Sequence, residues 1–474
     1  MITKTDFMEF LDTPMHMWAE KHDRAAPAPT AFDRHLMEQG RAIEKLAKGY
    51  LPVYLGAQGA GQELSFEKTF TDGQFQTRVD ALVHDHDQGA YDLYEIKSST
   101  HIDKQHKQDL AFQRLVCEAS IPVRHVFLVH VNRDYIRDGD LDLAKLLIVE
   151  DVTDEVEAFR AEVAAARDEA AVVATRVSPE GIAGCLKPRT CPCLDLCHPA
   201  LPEYPIYDLP RLHKKKARNL KAQGILAIED IPDDFPLSDR QRLQVAAVKQ
   251  GAAGMNAAVI QGDLAQLEYP LYFLDYESYN PAVPQYDGYR PYQHMVFQYS
   301  LHVIAEPGGE PAHSACLVTT PGDPAGPLLE QLARDLGSSG SVIVWNQGFE
   351  GARNREMAEL HPQYHILLEG INARIYDLMK PFSKGHYVHP DFHGSASIKK
   401  VLPVLVDEQE LSYDELPIPQ GDEAMLAWAS IMAHEPAPGE LEQTREALLR
   451  YCELDTLAMV RNWQALVRLV DRER

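Results

Sequence analysis

The chain has 474 residues, 45% of them hydrophobic, and a formal net charge of -25; that length suits two domains, and that content fills ordinary globular cores. It shows no charged segment leading into an apolar one at its start and no run of about 18 apolar residues, which argues against a signal peptide or a spanning helix and predicts a soluble, cytoplasmic protein. The acidic balance repels phosphate at long range and so counts against a nucleic-acid partner, unless metals sit among the carboxylates or local basic segments track a strand.

Residues 1–60 read as helical, with a long helix predicted over Ala31–Gly49 and closed by Gly49 and a Leu51-Pro52 break. Strands follow at Ser65–Phe70, Gln76–His84 and Tyr91–Ser98, divided by Thr71-Asp72-Gly73 and the polar turn Asp85–Gly89. A helix at Lys107–Ala119 precedes strands at Arg124–Val131 and Leu146–Asp151. Residues 153–176 are alanine-rich with alternating charge and predict a solvent-facing helix. Proline-rich residues 199–210 mark a boundary, and residues 211–265 read as a helical connector broken at Gly224 and Pro232. The basic run Arg211, His213, Lys214, Lys215, Lys216, Arg218 and Lys221 reads either as a solvated helix face or as a segment that tracks a strand. From Tyr269 strands are predicted at Pro270–Tyr276, Met295–Ile304, Ala315–Thr319 and Ser341–Trp345, with a helix at Pro327–Leu336. The expected architecture is therefore α/β, with one domain over residues 1–200, the connector over 201–265 and a second α/β domain over 266–474.

Strand Gln76–His84 carries Asp80, and the next strand carries Glu95 and Lys97 on one face. Two carboxylates can hold a divalent cation, and a lysine ammonium can orient water and stabilise developing negative charge, which is phosphodiester-hydrolysing chemistry. The bland alternative is an edge hairpin with surface charges. The run Arg78-Val79-Asp80, Tyr94-Glu95-Ile96-Lys97-Ser98-Ser99-Thr100 and Asp109-Leu110-Ala111-Phe112-Gln113 resembles the RecB-like branch of the PD-(D/E)XK nucleases. That resemblance implies a restriction-endonuclease-like N-terminal domain with Gln113 near its active site. It also implies an upstream metal ligand, for which Glu44 stands in the expected place; a solvent-facing helix glutamate is the other reading of Glu44.

Seven cysteines are present, and Cys185, Cys191, Cys193 and Cys197 cluster in sequence while Cys117, Cys316 and Cys452 stand alone. Clustering of this kind in a cytosolic chain suggests metal rather than disulfide. Cys117, in mid-helix, reads as a small core residue. Related RecB-like nucleases hold an iron–sulfur cluster with one N-terminal cysteine and three after the nuclease core, but Thr13 stands here where that first cysteine belongs. A metal site on the four local cysteines is expected, a 4Fe-4S cluster ahead of a Zn²⁺ ion, with free thiols of a lost site as the other reading.

Farther on, Asp275 and Glu277 end an apolar strand on one face, Glu350 follows the strand Val342–Asn346, and Tyr451 and Asp455 lie four apart on a C-terminal helix. Asp-x-Glu, Asn-x-x-Phe-acid and Tyr-x-x-x-Asp in this order resemble the tyrosine subtype of DEDD 3′–5′ exonucleases. The resemblance implies an RNase-H-like domain in which four acids hold two Mg²⁺ or Mn²⁺ ions and the tyrosine positions water. Glu350 departs from the usual aspartate, and Asp377 is an alternative ligand or a strand-end cap. The whole arrangement resembles an uncharacterised bacterial family of the same architecture. Three readings follow: a two-site nuclease acting on nucleic acid, with DNA favoured over RNA, in repair or in defence against mobile elements; a nucleic-acid-binding protein with one or both sites inactive; and an iron–sulfur protein whose cluster senses redox state. No membrane partner is expected, and protein partners are not legible.

Overall fold

A computed structural model of the chain describes residues 1–24, 29–56, 62–406, 411–413, 415–434, 437 and 439–472. Part of the expected helical segment, residues 25–28 and 57–60, lies outside the described residues. The fold is mixed α/β with two principal sheets, and the chain divides into two compact units. The first comprises Met1–Ala200 with Pro281–Gln293, and the second Leu201–Asn280 with His294–Arg474. Residues 201–265 are accordingly part of the second unit rather than a separate connector.

The first unit opens with β1 (Ile2–Thr3), α1 (Lys4–Asp12), α2 (Pro14–Lys21) and α3 (Ala31–Gly56). It continues through β2 (Gln62–Asp72), β3 (Phe75–Asp85), β4 (Ala90–Ile96), α4 (Lys104–Glu118), β5 (Val123–Val131), β6 (Leu147–Asp151) and α5 (Arg160–Ala174). The sheet runs β1-β3-β4-β5-β6, with β2 also paired to β3. Helices bury both of its faces. Ile43, Ala47, Leu51 and Leu55, four residues apart on α3, pack with Ala81, Val83 and Tyr94. Phe7, Phe112 and Val116 pack on the other side with Val79, Leu82 and Leu93.

Two expectations are corrected by this packing. The helix predicted to close near Gly49 continues through Pro52 to Gly56, because buried Leu51 and Leu55 favour about two more turns over the hydrogen bond that proline forfeits. The stretch expected to face solvent bears Val156, Val163 and Ala170, seven residues apart and buried in the first core. Alanine there lets α5 approach α4 closely. The short pairing of Ile2 with Phe75 was not foreseen, since two residues carry no readable period.

In the second unit, helices α6 (Lys214–Ala222) and α7 (Asp239–Gln250) precede the sheet. The sheet is built from β7 (Leu271–Tyr279), β8 (Met295–Ile304), β9 (Ala312–Leu317), β10 (Ser341–Val344) and β11 (Ile375–Asp377), in the order β9-β8-β7-β10-β11. β8 runs antiparallel to β7, whereas β10 runs parallel to it. Helix α8 (Gln347–Leu360) follows β10, and α9 (Ile398–Leu405), α10 (Gly421–Ala433) and α11 (Glu440–Arg472) close the unit. Polar contacts set the register of α11: Gln298 Nε2 donates to Leu448 O at 2.8 Å, and Thr456 Oγ1 lies 2.7 Å from Ser300 Oγ and 2.8 Å from His302 Nδ1. Among the described residues no helix is long and apolar enough to cross a membrane.

Candidate functional site

Strand register creates the first site. β3 and β4 pair from Asp85↔Ala90 to Ala81↔Tyr94, and the ladder then opens. The Asp80 carboxylate fills the gap by accepting the Ile96 N–H at 2.8 Å. Glu95, 1% exposed, accepts at one oxygen from Lys4 Nζ and Lys97 Nζ, both at 2.7 Å. Its other oxygen accepts from Gln113 Nε2 at 2.7 Å. Asp109, one turn before Gln113 on α4, accepts from Gln113 Nε2 at 3.0 Å and from Lys97 Nζ at 2.7 Å.

These neighbours split the two acids electrostatically. Burial, and then the charge on Glu95, push the Asp80 carboxyl up to about 7. Burial also opposes ionisation of Glu95, but the Lys97 and Lys4 ammonium groups hold it well below the usual carboxylate range. Lys97, likewise buried, is held protonated by Glu95 and Asp109. The Glu44 carboxylate forms an ion pair with Lys48 at 2.6 Å.

The cysteine segment folds against α2. His16, Cys191, Cys193 and Cys197 bring their ligand atoms within 4.8 Å of one another, and Cys185, Cys191 and His198 form an overlapping group. This is a cysteine and histidine cluster able to hold a metal ion. Burial opposes charge on His16, yet hydrogen bonds to Cys197 and Glu9 push it up to about 10; the reciprocal bond, acting against burial, lowers the Cys197 thiol to about 6. Cys117 is fully buried in the first core.

The second unit gathers acids from three separate elements. Asp275 and Glu277 come from β7, where a bulge between Glu277 and Ser278 re-aims the strand end. Glu350 comes from the first turn of α8, and Asp455 from the middle of α11. The Tyr413 hydroxyl donates to Asp455 Oδ1 at 2.6 Å, and the Cys452 thiol lies 3.5 Å from Asp275 Oδ2. Lys399 Nζ sits over the Tyr413 and Tyr451 rings, 4.9 Å and 5.2 Å from their centroids. Glu350 is 3% exposed, and its Oε2 has no hydrogen-bond partner among the described residues. Asp377, at the end of β11, caps the chain by accepting the Met379 N–H at 3.0 Å, and its charge acts on Glu350.

Burial dominates the titration of this cluster, and the acids add to it. Asp275 and Glu277 are raised well above the carboxylate range by burial, then by Asp455 and other nearby acids. Burial lifts Asp455 to about 6 against the hydrogen bond from Tyr413, and lifts Glu350 to about 8. Carboxylates so placed must either keep protons or share cations, and a set of hard oxygen donors suits Mg²⁺ or Mn²⁺.

Residues 272–397 match a domain of unknown function (DUF2779). An uncharacterized protein of Ureaplasma parvum serovar 3 is 27% identical over 228 residues, covering 44% of this chain and 33% of that protein. An uncharacterized protein of Mycoplasma pneumoniae is 27% identical over 209 residues, covering 41% of this chain and 31% of that one. The chain thus spans a third or less of the length of these curated relatives. No solved structure gives a significant match.

The matched region contains Asp275, Glu277, Glu350 and Asp377 but ends before Tyr451 and Asp455. Several neighbours of the two carboxylate clusters were not singled out from sequence. Lys4 lies 91 residues from Glu95 and carries no local signal. Asp109 was readable in principle, one helical turn before Gln113. Lys399 lies on amphipathic α9, whose period carries no sign of its approach to Tyr451; Tyr413 lies outside any helix or strand, and His16 stands three residues beyond Thr13.

Proposed function

We propose that the chain is a metal-dependent nuclease of the cytoplasm, hydrolysing phosphodiester bonds of nucleic acid, DNA ahead of RNA, with a 3′–5′ exonuclease in its second unit. The observation that carries this reading is the convergence of Asp275, Glu277, Glu350 and Asp455 from β7, α8 and α11 in a buried patch where Glu350 Oε2 lacks a partner. Mg²⁺ or Mn²⁺ bound there would activate a water and stabilise the leaving oxygen. The four carboxylates would hold the cations, and Tyr451, whose hydroxyl burial keeps protonated, would orient the attacking water. Lys399 brings a positive charge to the same rings and lines an adjoining cavity of about 840 Å³ with Lys400 and His393, a setting suited to phosphate. Basic residues also meet at a second cavity of about 570 Å³, where Arg211, His213 and Lys216 face Arg240 and Lys384.

In the first unit the element order α3-β2-β3-β4-α4-β5 and the meeting of Asp80, Glu95, Lys97 and Gln113 support a RecB-like nuclease site. One observation favours a second reading there. Lys4 Nζ lies 2.7 Å from the Glu95 oxygen that a cation would need, so this site would bind nucleic acid without cutting it until Lys4 withdraws. A metal in the cysteine segment, iron–sulfur or zinc, would act as a structural staple of the same unit.

The test uses the full chain and labelled single-stranded and duplex DNA and RNA with free or blocked 3′ ends. Divalent metal should permit shortening from free 3′ ends, EDTA should stop it, and Asp275→Asn should abolish it, since a transition-state charge would lose its metal. Absence of hydrolysis on every substrate with Mg²⁺ and Mn²⁺ would leave only the binding reading.

A further inference from the structure

Four clustered thiols and a missing N-terminal cysteine left the metal site without a way to reach the start of the chain. The structure supplies another partner. α2 begins directly after Thr13 and buries His16 in its first turn. It is docked on the cysteine segment by contacts that need no metal: the Met15 N–H donates to Ala183 O at 3.1 Å, and the Trp18 indole donates to Arg176 O at 2.8 Å.

His16 Nε2 lies 3.5 Å from Cys191 Sγ, and Cys193 Sγ lies 3.7 Å from Cys197 Sγ. The other ring nitrogen, Nδ1, lies 3.0 Å from Glu9 Oε1. A carboxylate behind the imidazole fixes the tautomer that leaves Nε2 free to ligate, as in many histidine–metal sites. Cys185 falls in an overlapping group beside this one, its sulfur 3.2 Å from His198 Nε2 and within 4.8 Å of Cys191 Sγ. The segment packs so tightly that a Cβ at Gly184 would come 3.0 Å from the Cys197 Cα.

The spacing discriminates between metals. Around one tetrahedral zinc with bonds of about 2.3 Å to sulfur and 2.0–2.1 Å to nitrogen, adjacent ligand atoms lie roughly 3.5–3.8 Å apart. The observed 3.5 Å and 3.7 Å are such edges. A 4Fe-4S cube binds each thiolate to a different iron and holds its ligands farther apart than a single shared ion does.

We propose that His16, Cys191, Cys193 and Cys197 hold one tetrahedral Zn²⁺ that clips α2 to the cysteine segment, with Glu9 orienting His16 and Cys185 paired with His198 beside the ion. This rests on the metal-site reading of the segment and is independent of hydrolysis. Binding releases three protons to solvent, those of the Cys191 and Cys193 thiols and the one that Cys197 and His16 share, so that the imidazole binds in its neutral form.

The test is made on the full chain purified with and without air. One zinc per chain, with iron and sulfide absent, is expected. Co²⁺ exchanged into the site should give tetrahedral visible bands with thiolate charge transfer, and His16→Cys should retain one metal while moving those bands towards a four-sulfur pattern. Cys185→Ser should leave metal content and spectrum unchanged. Glu9→Ala should weaken zinc about tenfold or more in competition with a chelator. An iron–sulfur stoichiometry, a wild-type chain that takes up no zinc, a His16→Cys spectrum identical to wild type, or loss of metal in Cys185→Ser would each overturn the assignment.

Discussion

At the scale of single residues, the two carboxylate clusters are poised differently. In the first unit Glu95 is neutralised by lysines, and Lys4 is the one that comes from outside the Glu-x-Lys strand. Lys4→Met should therefore raise divalent-cation affinity at this site severalfold, measured by isothermal titration in an Asp275→Asn background that reports the first unit separately; unchanged affinity would show that Lys4 does not compete. A different residue sets a pH dependence of stability. Burial, with smaller contributions from His313 and Arg461, lowers His302 to about 4, and its Nδ1 meets Thr456 at 2.8 Å. A depressed histidine contributes stability above its unfolded value near 6.5 and loses it as pH falls towards 4, because the unfolded chain binds the proton first. His302→Gln should flatten that part of the acid limb, removing roughly 3 kcal/mol of pH dependence in denaturant titrations between pH 6.5 and 4. An equally steep limb in the variant would contradict this placement of the proton.

Among the elements, α3 tests whether packing overrides propensity. Its proline is exposed, while Leu51 beside it is fully buried against β3 and β4. Pro52→Ala should stabilise the first unit by up to about 3 kcal/mol, since it restores a helical donor. Leu51→Ala should destabilise it by about 3 kcal/mol through loss of burial and the cavity left behind. Chemical denaturation of both variants checks the pair; a destabilised Pro52→Ala would mean that the proline ring itself carries packing. The same logic explains α5, whose apolar residues at spacings of seven were readable but whose partner helix was not.

For the molecule as a whole, residues 281–293 connect sequence distance to structure. They leave the chain between β7 and β8 and belong to the first unit, where Ala282 is buried with Tyr94, Val129 and Leu146. Arg137 Nη1 holds the Pro284 and Gln285 carbonyls at 3.0 Å and 2.7 Å, and Tyr292 donates to Ser98 O at 2.5 Å, next to Lys97. Ala282→Leu should overpack this core by about 1–3 kcal/mol. Hydrogen exchange should then rise in β4 and β5 while β7 to β11 keep their protection; uniform loss across both units would refute this partition.

Sequence by itself determined the periodic strands and helices, the α/β class, and the short-range pairs Glu95 with Lys97 and Asp275 with Glu277, because a two-residue repeat forces neighbours onto one face. It also made Cys185, Cys191, Cys193 and Cys197 readable as a cluster, since they lie close along the chain. Tertiary structure alone decided that Lys4 meets Glu95, that Tyr413 meets Asp455, that Glu44 pairs with Lys48, and that His16 meets Cys191. These partners lie on elements whose spacing in the chain carries no information about distance in space; they are joined by sheet register and helix packing, whose energies belong to the assembled core and to no local segment.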